Sequence, residues 1–352
     1  MFVLGLAVFI WLLGALFKVS LRARWGALAL LYGVILGLHL LLPNSAWVRD
    51  MIGGSLRSWL LTGGVVAVGL AYWALLRLFK AKGKQRVEQM TDTPKEPTFS
   101  ETELNRYARH IMLREIGGAG QKKLKQARVL VVGAGGLGSP VLLYLAAAGV
   151  GRIGVIDDDV VDNSNLQRQI IHRDADIGMA KVFSAQAAML AQNPHIEVLP
   201  YQRRFEEGIA AQLLADYDLV LDGSDNFQTR YLVNRSCVAQ SIPLIAGAIS
   251  QWEGQISLYD PARGTPCYQC IFPEAPAPGL APSCAEAGVA GPLPGVIGAM
   301  MALEAIKEIT GAGAGLRGEM LIYDALFAES RKIRLTRRDD CPVCAHKGGE
   351  AG

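Results

Sequence analysis

Gly133-Ala-Gly135-Gly136-Leu-Gly138 follows directly on the apolar run Arg128-Val-Leu-Val-Val132 and leads into a second one, Val141–Ala148. A buried strand, a glycine turn and a helix in that order leave few possible folds. Glycines there allow a tight turn and let helix N–H groups approach a phosphate closely. The next strand, Ile153–Ile156, ends in Asp157-Asp158-Asp159, so Asp157 stands where a carboxylate can bind ribose hydroxyls. Further strands are expected at 196–200, 218–222, 243–248 and 255–259, with helices near 181–192, 207–215, 227–239 and 296–310. This alternation predicts an α/β, Rossmann-like, mostly parallel sheet with flanking helices. Ahead of it, Ser100 and Glu103 have the spacing of a capping box and Phe99 and Leu104 that of a hydrophobic staple. They should start a helix that runs to about Glu115, before Gly117-Gly118.

The chain changes character near residue 80. Residues 1–79 contain one acid, Asp50, and three apolar runs at 2–17, 25–42 and 56–79. The second and third are long enough for a bilayer core of about 30 Å, and the first is at the short limit. No basic residue precedes the first run and no small-x-small site follows it, which argues against a signal peptide. Lys18, Arg22 and Arg24 follow the first run, and Lys80, Lys82, Lys84 and Arg86 follow the third, whereas loop 43–55 has only Arg49, offset by Asp50. The positive-inside rule then predicts three crossings and a cytoplasmic C-terminal domain, anchored to the inner or plasma membrane. If the first run lies at the interface, there are two crossings and the same orientation. Gly33 and Gly37 would pack a second copy or a neighbouring span, and His39 should be hydrogen-bonded or snorkelled to the interface. Residues 80–98, polar and with Pro94 and Pro97, read as a linker whose basic start favours anionic lipid. A net charge of +3 without an arginine-rich tract argues against nucleic acid as a partner.

The glycine loop and Asp157 suit an NAD-dependent oxidoreductase equally well. Later residues discriminate. Ser164-Asn165-Leu166-Gln167-Arg168-Gln169 follows the acidic strand end, Lys181 opens the next helix, and Asp225-Asn226 follows the strand 218–222. They would gather cations and an acid at the carboxyl ends of the strands. A dinucleotide does not need this set, but attack by a carboxylate on the α-phosphate of ATP does. Two anions must meet and pyrophosphate must leave, so positive charge and Mg²⁺ have to cancel the repulsion. The nucleophile is already ionised, and no general base is required. Taken singly, Arg109 reads as a surface ion-pair partner, Lys181 as solvated, Arg168 as loop packing, and Asp225 or Asn226 as a helix cap. Their joint order on these strand ends favours the nucleotide site.

Residues 99–346 resemble the MoeB/ThiF/HesA family, relatives of the ubiquitin-activating enzymes. Arg106-Tyr-Ala-Arg109, the glycine loop, Ser164–Arg168, Lys181, Asp225-Asn226 and two cysteine pairs carry the resemblance, in that order. It implies ATP-dependent adenylation of the C-terminal glycine of a ubiquitin-like sulfur-carrier protein. By it, Gly136 and Asp157 hold the nucleotide within a loop that includes Gly133, Gly135 and Gly138. Asn165, Arg168 and Lys181 bind its phosphates, amid Ser164, Leu166, Gln167 and Asn226, and Asp225 works through Mg²⁺. Arg109 reaches into the neighbouring subunit's site of a homodimer. Pro273–Pro276 and Ser283–Val289 look MoeB-like, which makes the small subunit of molybdopterin synthase the expected carrier. A ThiF-like enzyme serving the thiamine carrier is the rival, and a non-catalytic membrane scaffold is a reading from another class.

Cys267-x-x-Cys270 and Cys341-x-x-Cys344 are two half-sites of a closed, structural Zn²⁺ site. A redox pair is the alternative, disfavoured because neither pair reads as a helix start. Cys284 lies in a Pro- and Gly-rich segment, 275–294, that resembles the family's loop over the active site, where relatives carry a cysteine able to bond to the carrier. Cys237 is expected in the core. The tail is 347–352.

Overall fold

The computed structural model describes residues 2–43, 47–91, 98–277 and 287–345. Two compact units divide the chain, Met1–Glu96 and Pro97–Gly352. Cys284 and the tail lie outside the described residues.

The first unit contains α1 (Phe2–Leu16), α2 (Leu21–Leu41), α3 (Trp47–Ile52) and α4 (Leu56–Thr91). Two stretches, Leu21–Leu41 and Leu56–Arg77, are long and apolar enough to cross a membrane. At 15 residues α1 reaches about 22 Å, short of the hydrocarbon core. The last helix continues to Thr91, through the first part of the expected linker, because Lys80–Thr91 is mostly strong helix formers. His39 is buried, with Nδ1 3.0 Å from the Ile35 carbonyl and Nε2 3.4 Å from that of Gly54. Among the described residues nothing packs on the Gly33/Gly37 pair, since a Cβ at either would meet nothing within 4 Å. The close helix approach is at Gly63, where an added Cβ would lie 2.0 Å from Tyr32 Oη.

In the second unit β1 (Arg128–Val132), β2 (Arg152–Ile156), β3 (Glu197–Tyr201), β4 (Leu219–Asp222), β5 (Leu244–Ile249), β6 (Glu253–Tyr259), β7 (Glu319–Asp324) and β8 (Glu329–Arg334) form one sheet. Its order is β3-β2-β1-β4-β5-β6-β7-β8. Pairing is parallel from β3 to β5 and antiparallel from β5 to β8. The chain leaves β1 toward one edge and returns to β4 on its other side, so the β1/β4 boundary is a topological switch point. Side chains alternate along β1 between two cores. Val129 and Val131 join the cluster that includes residues of α8 (Gly138–Ala148), α9 (Lys181–Gln192) and α13 (Pro292–Thr310). Leu130 and Val132 join residues of α10 (Glu207–Leu214), α11 (Phe227–Gln240) and α12 (Tyr268–Ile271) on the other face.

Two expectations need correction. The single helix from Ser100 to Glu115 is instead α5 (Glu101–Arg106) and α6 (Ala108–Ile111), and Gly117 opens α7 (Gly117–Gln126) rather than ending a helix. Tyr107 breaks it by turning inward, 3% exposed, where its hydroxyl accepts from Asn193 Nδ2 at 2.8 Å. The capping box forms, but Leu104 is half exposed and the Phe99 ring meets Tyr107 instead, centroids 6.2 Å apart.

Candidate active site

The glycine loop leaves β1 at the switch point. Gly133 takes φ +95°, and a Cβ on Gly138 would lie 1.9 Å from the Gly133 carbonyl oxygen. The helix therefore starts directly over the turn, a contact that no larger residue permits. A Cβ on Gly133 would lie 3.2 Å from the Gly223 carbonyl, so the end of β4 packs on the same loop. Gly135 and Gly136 face the Ser164–Gln169 segment. Their Cβ positions would lie 3.6 Å from Gln169 Nε2 and 3.7 Å from Arg168 Cγ, with Pro294 of α13 3.1 Å from the latter position.

Asp157 joins this loop to the end of β2. Its Oδ2 accepts the Ala134 N–H and its Oδ1 the Asp159 N–H, both at 2.8 Å. Burial holds the carboxyl above its ordinary value, against the pull of those N–H groups. Both oxygens keep lone pairs that can accept from ribose hydroxyls.

Beyond β2, Asp162 caps a short turn by accepting the Ser164 N–H at 2.8 Å and its hydroxyl at 2.5 Å. Arg168 then donates from Nη2 to Asn165 Oδ1 at 2.8 Å and from Nη1 to the Ser164 carbonyl at 3.2 Å. Asn165 thereby fixes the guanidinium, while the side-chain stem of Arg168 packs at Gly136. Gln167 abuts the start of α13, where a Cβ on Gly291 would meet its Oε1 at 2.6 Å. Lys181 is buried rather than solvated, 4% exposed, and its Nζ lies 2.9 Å from Oδ2 of the exposed Asp159.

After β4, Asn226 accepts the Thr229 N–H at 2.9 Å and caps α11, the structural alternative for that residue. Asp225 is exposed at the same turn. Arg230 holds the turn by donating to the Ser224 carbonyl and, at 2.8 Å, to that of Gly247. The break at Tyr107 falls between Arg106 and Arg109. Arg106 donates to the Gln192 carbonyl at 2.6 Å, while Arg109 is exposed with no hydrogen bond or ion pair to another described residue. Three residues were passed over in the sequence: Asp159, Gln169 and His172. The first belongs to the acidic run Asp157–Asp159 just past β2, which could have suggested it. His172, between Ile171 and Arg173, gave no signal.

All four paired cysteines gather in one buried cluster. Sγ separations are 3.9 Å for Cys267–Cys270, 3.6 Å for Cys267–Cys341 and 3.3 Å for Cys270–Cys344. A tetrahedron of Zn–S bonds of about 2.3 Å has edges of about 3.8 Å, so the cluster fits the ion. Burial and neighbouring sulfurs push the Cys267 thiol up, and four thiolates there require a cation. Cys267 is in fact the N-cap of α12, contrary to the reason for setting aside a redox pair. Convergence of all four sulfurs is the stronger ground for a metal. Cys237 is buried in the core.

A parallel sheet with a glycine loop at its switch point, flanked by a guanidinium and a buried ammonium, defines a nucleotide-binding α/β protein. The model of the ThiF family matches residues 107–343, and the chain belongs to this family. The sulfur carrier protein adenylyltransferase of Thermus thermophilus is 49% identical over 250 residues, 70% of this chain and 92% of that relative. The SAMP-activating enzyme E1 of Haloferax volcanii is 47% identical over 247 residues, 70% of this chain and 91% of that protein. Among solved structures, E. coli MccB with AMPCPP and MccA superposes with a TM-score of 0.60 at 26% identity, over 68% of this chain and 74% of that one.

Proposed function

We propose that this sulfur-carrier adenylyltransferase joins the C-terminal glycine carboxylate of a ubiquitin-like carrier to the α-phosphate of ATP, releasing pyrophosphate. The observation that carries the reading is the glycine loop tied to Asp157, with Arg168 held by Asn165 and packed on Gly136, and buried Lys181 paired with Asp159. Loop N–H groups and the start of α8 receive phosphate oxygens. Arg168 and Lys181 offset the charge that gathers as the two anions meet. Asp225, an exposed carboxylate at the β4 end, suits Mg²⁺, which prefers one or two carboxylates plus phosphate oxygens. When bound, that ion neutralises charge on the departing pyrophosphate. Arg109, exposed beside Met112 at 74% and Leu113 at 49%, is assigned to the neighbouring site of a homodimer.

The small subunit of molybdopterin synthase is the proposed carrier, with the thiamine carrier as rival. Full-length protein in detergent is to be incubated with ATP, Mg²⁺ and each carrier, and intact carrier masses recorded. A gain of one AMP on one carrier identifies both reaction and pathway. ATP binding without any adduct would instead support the scaffold, and NAD binding without ATP binding an oxidoreductase.

The first unit is proposed as a membrane anchor that leaves the second in the cytoplasm. Its two long apolar stretches, Leu21–Leu41 and Leu56–Arg77, support this, since few of their residues are buried. The protein should stay in the membrane pellet after an alkaline carbonate wash, and release by that wash would refute the anchor.

A further inference from the structure

His172 is 6% exposed and belongs to none of the roles above. Its Nε2 lies 2.9 Å from the Ala134 carbonyl oxygen and its Nδ1 2.8 Å from Ser184 Oγ. Ser184 Oγ in turn donates to Asp176 Oδ2 at 2.7 Å. The Ala134 residue is thus gripped twice, by Asp157 on its N–H and by His172 on its C=O. That carbonyl belongs to the Ala134–Gly135 peptide, so the grip sets where the Gly135 N–H points, at the open edge of the nucleotide loop.

We propose that His172 is a positioning residue for adenylation: as the Nε2–H tautomer it donates to the Ala134 carbonyl and, with Asp157, holds the glycine loop in its phosphate-receiving form. The proposal rests on the adenylation reading.

Proton counting selects the tautomer. A carbonyl oxygen only accepts, so Nε2 must carry the hydrogen. The single Ser184 hydroxyl proton goes either to Asp176 Oδ2 or to the bare Nδ1 of neutral His172, and the Nε2–H bond to Ala134 is the same in both cases. Three charged groups face the ring: the Asp157 and Asp176 carboxylates, which favour its protonated form, and the Lys181 ammonium, which opposes it. Burial outweighs the carboxylates and holds His172 below its ordinary value, so the ring is neutral at neutral pH. Asp176 keeps the Arg173 N–H, 3.1 Å away, when Ser184 turns its proton to the ring.

Two substitutions separate the ring's two contacts. Gln places an amide nitrogen near the Nε2 position and can still donate to Ala134, whereas Asn reaches only the Nδ1 position. Full-length His172→Gln in detergent should keep the KM for ATP within about threefold of wild type. His172→Asn should raise it about tenfold, the worth of one hydrogen bond, with the carrier KM unchanged. Both variants should unfold at similar temperatures, since both lose the ring. Equal effects of Gln and Asn on ATP would overturn the proposal. Nitrogen-15 histidine spectra give a second reading, with the signal assigned by its absence in His172→Asn from among five histidines. The Nε2–H pattern at neutral pH is expected, and the Nδ1–H pattern would sink the idea. If wild-type protein adenylates no carrier, the functional reading fails separately, and the dissociation constant for ATP replaces KM in the same comparison.

Discussion

Lys181→Ala is expected to reduce carrier adenylation by about a thousandfold while barely changing the unfolding temperature. A cation aimed at developing phosphate charge in a water-poor site typically contributes two to three orders of magnitude, roughly what loss of one oxyanion donor removes. Stability responds differently because the ammonium's partner is Asp159, whose side chain is 66% exposed. Once the lysine is gone, water solvates that carboxylate, and an ion pair with one exposed member is worth about 1 kcal/mol or less. The check is AMP-carrier yield by intact mass at saturating ATP, beside a thermal melt of the same sample. A yield within tenfold of wild type would remove Lys181 from the phosphate site. Mixing Lys181→Ala with Arg109→Ala subunits extends the test to the homodimer. A mixed dimer has one site with an intact lysine that receives the intact arginine from its neighbour, so activity should partly return. No recovery would show that Arg109 serves its own subunit's site or none.

Physical scale decides how much of this was readable in the sequence. The strands of the parallel half and their helices were legible to within a few residues, because burial on both faces leaves short, nearly uninterrupted apolar runs such as Arg128–Val132. β7 and β8 were not found. β8 is an exposed edge of sequence Glu-Ser-Arg-Lys-Ile-Arg, with no apolar face to betray it. At the site, the glycine loop was legible because a backbone constraint forces residue choice: a Cβ at Gly138 has nowhere to go. Pairings across the crevice left no periodicity to read. Lys181 meets Asp159 from 22 residues away, and His172 meets Ala134 from 38. The helix break at Tyr107 was hidden too, since it depends on a partner, Asn193, 86 residues on. Short-range rules see the helix start and cannot see the tertiary contact that ends it.

Loss of the four-cysteine site should be the largest single blow to stability, and it should leave nucleotide binding nearly intact. The two half-sites come from unlike places: Cys267 and Cys270 from the start and body of α12, Cys341 and Cys344 from the turn beyond β8. Val238 of α11, Ile271 and Val343 pack against the four cysteines. Arg337 donates to the Cys344 carbonyl, the Ala345 N–H to that of Cys341 at 3.1 Å, and the Tyr268 N–H to Asn234 Oδ1 of α11 at 2.9 Å. Zinc would therefore add four metal–sulfur bonds between the C-terminal segment and the α11–α12 layer. Cys344→Ser should cost about 4 kcal/mol, in the range where loss of a metal belongs, and lower the melting temperature by about 10 °C. A strong chelator should lower the wild-type midpoint by a similar amount and leave the variant where it is, because both remove the same ion. Wild-type protein should carry one zinc per chain by elemental analysis. ATP affinity should change less than about threefold, since the glycine loop depends on α8, β2 and the β4 end, none of which holds a cysteine of this cluster. Zinc-free wild type with an unchanged midpoint would revive a redox pair instead. Its midpoint would then follow added dithiothreitol rather than the chelator.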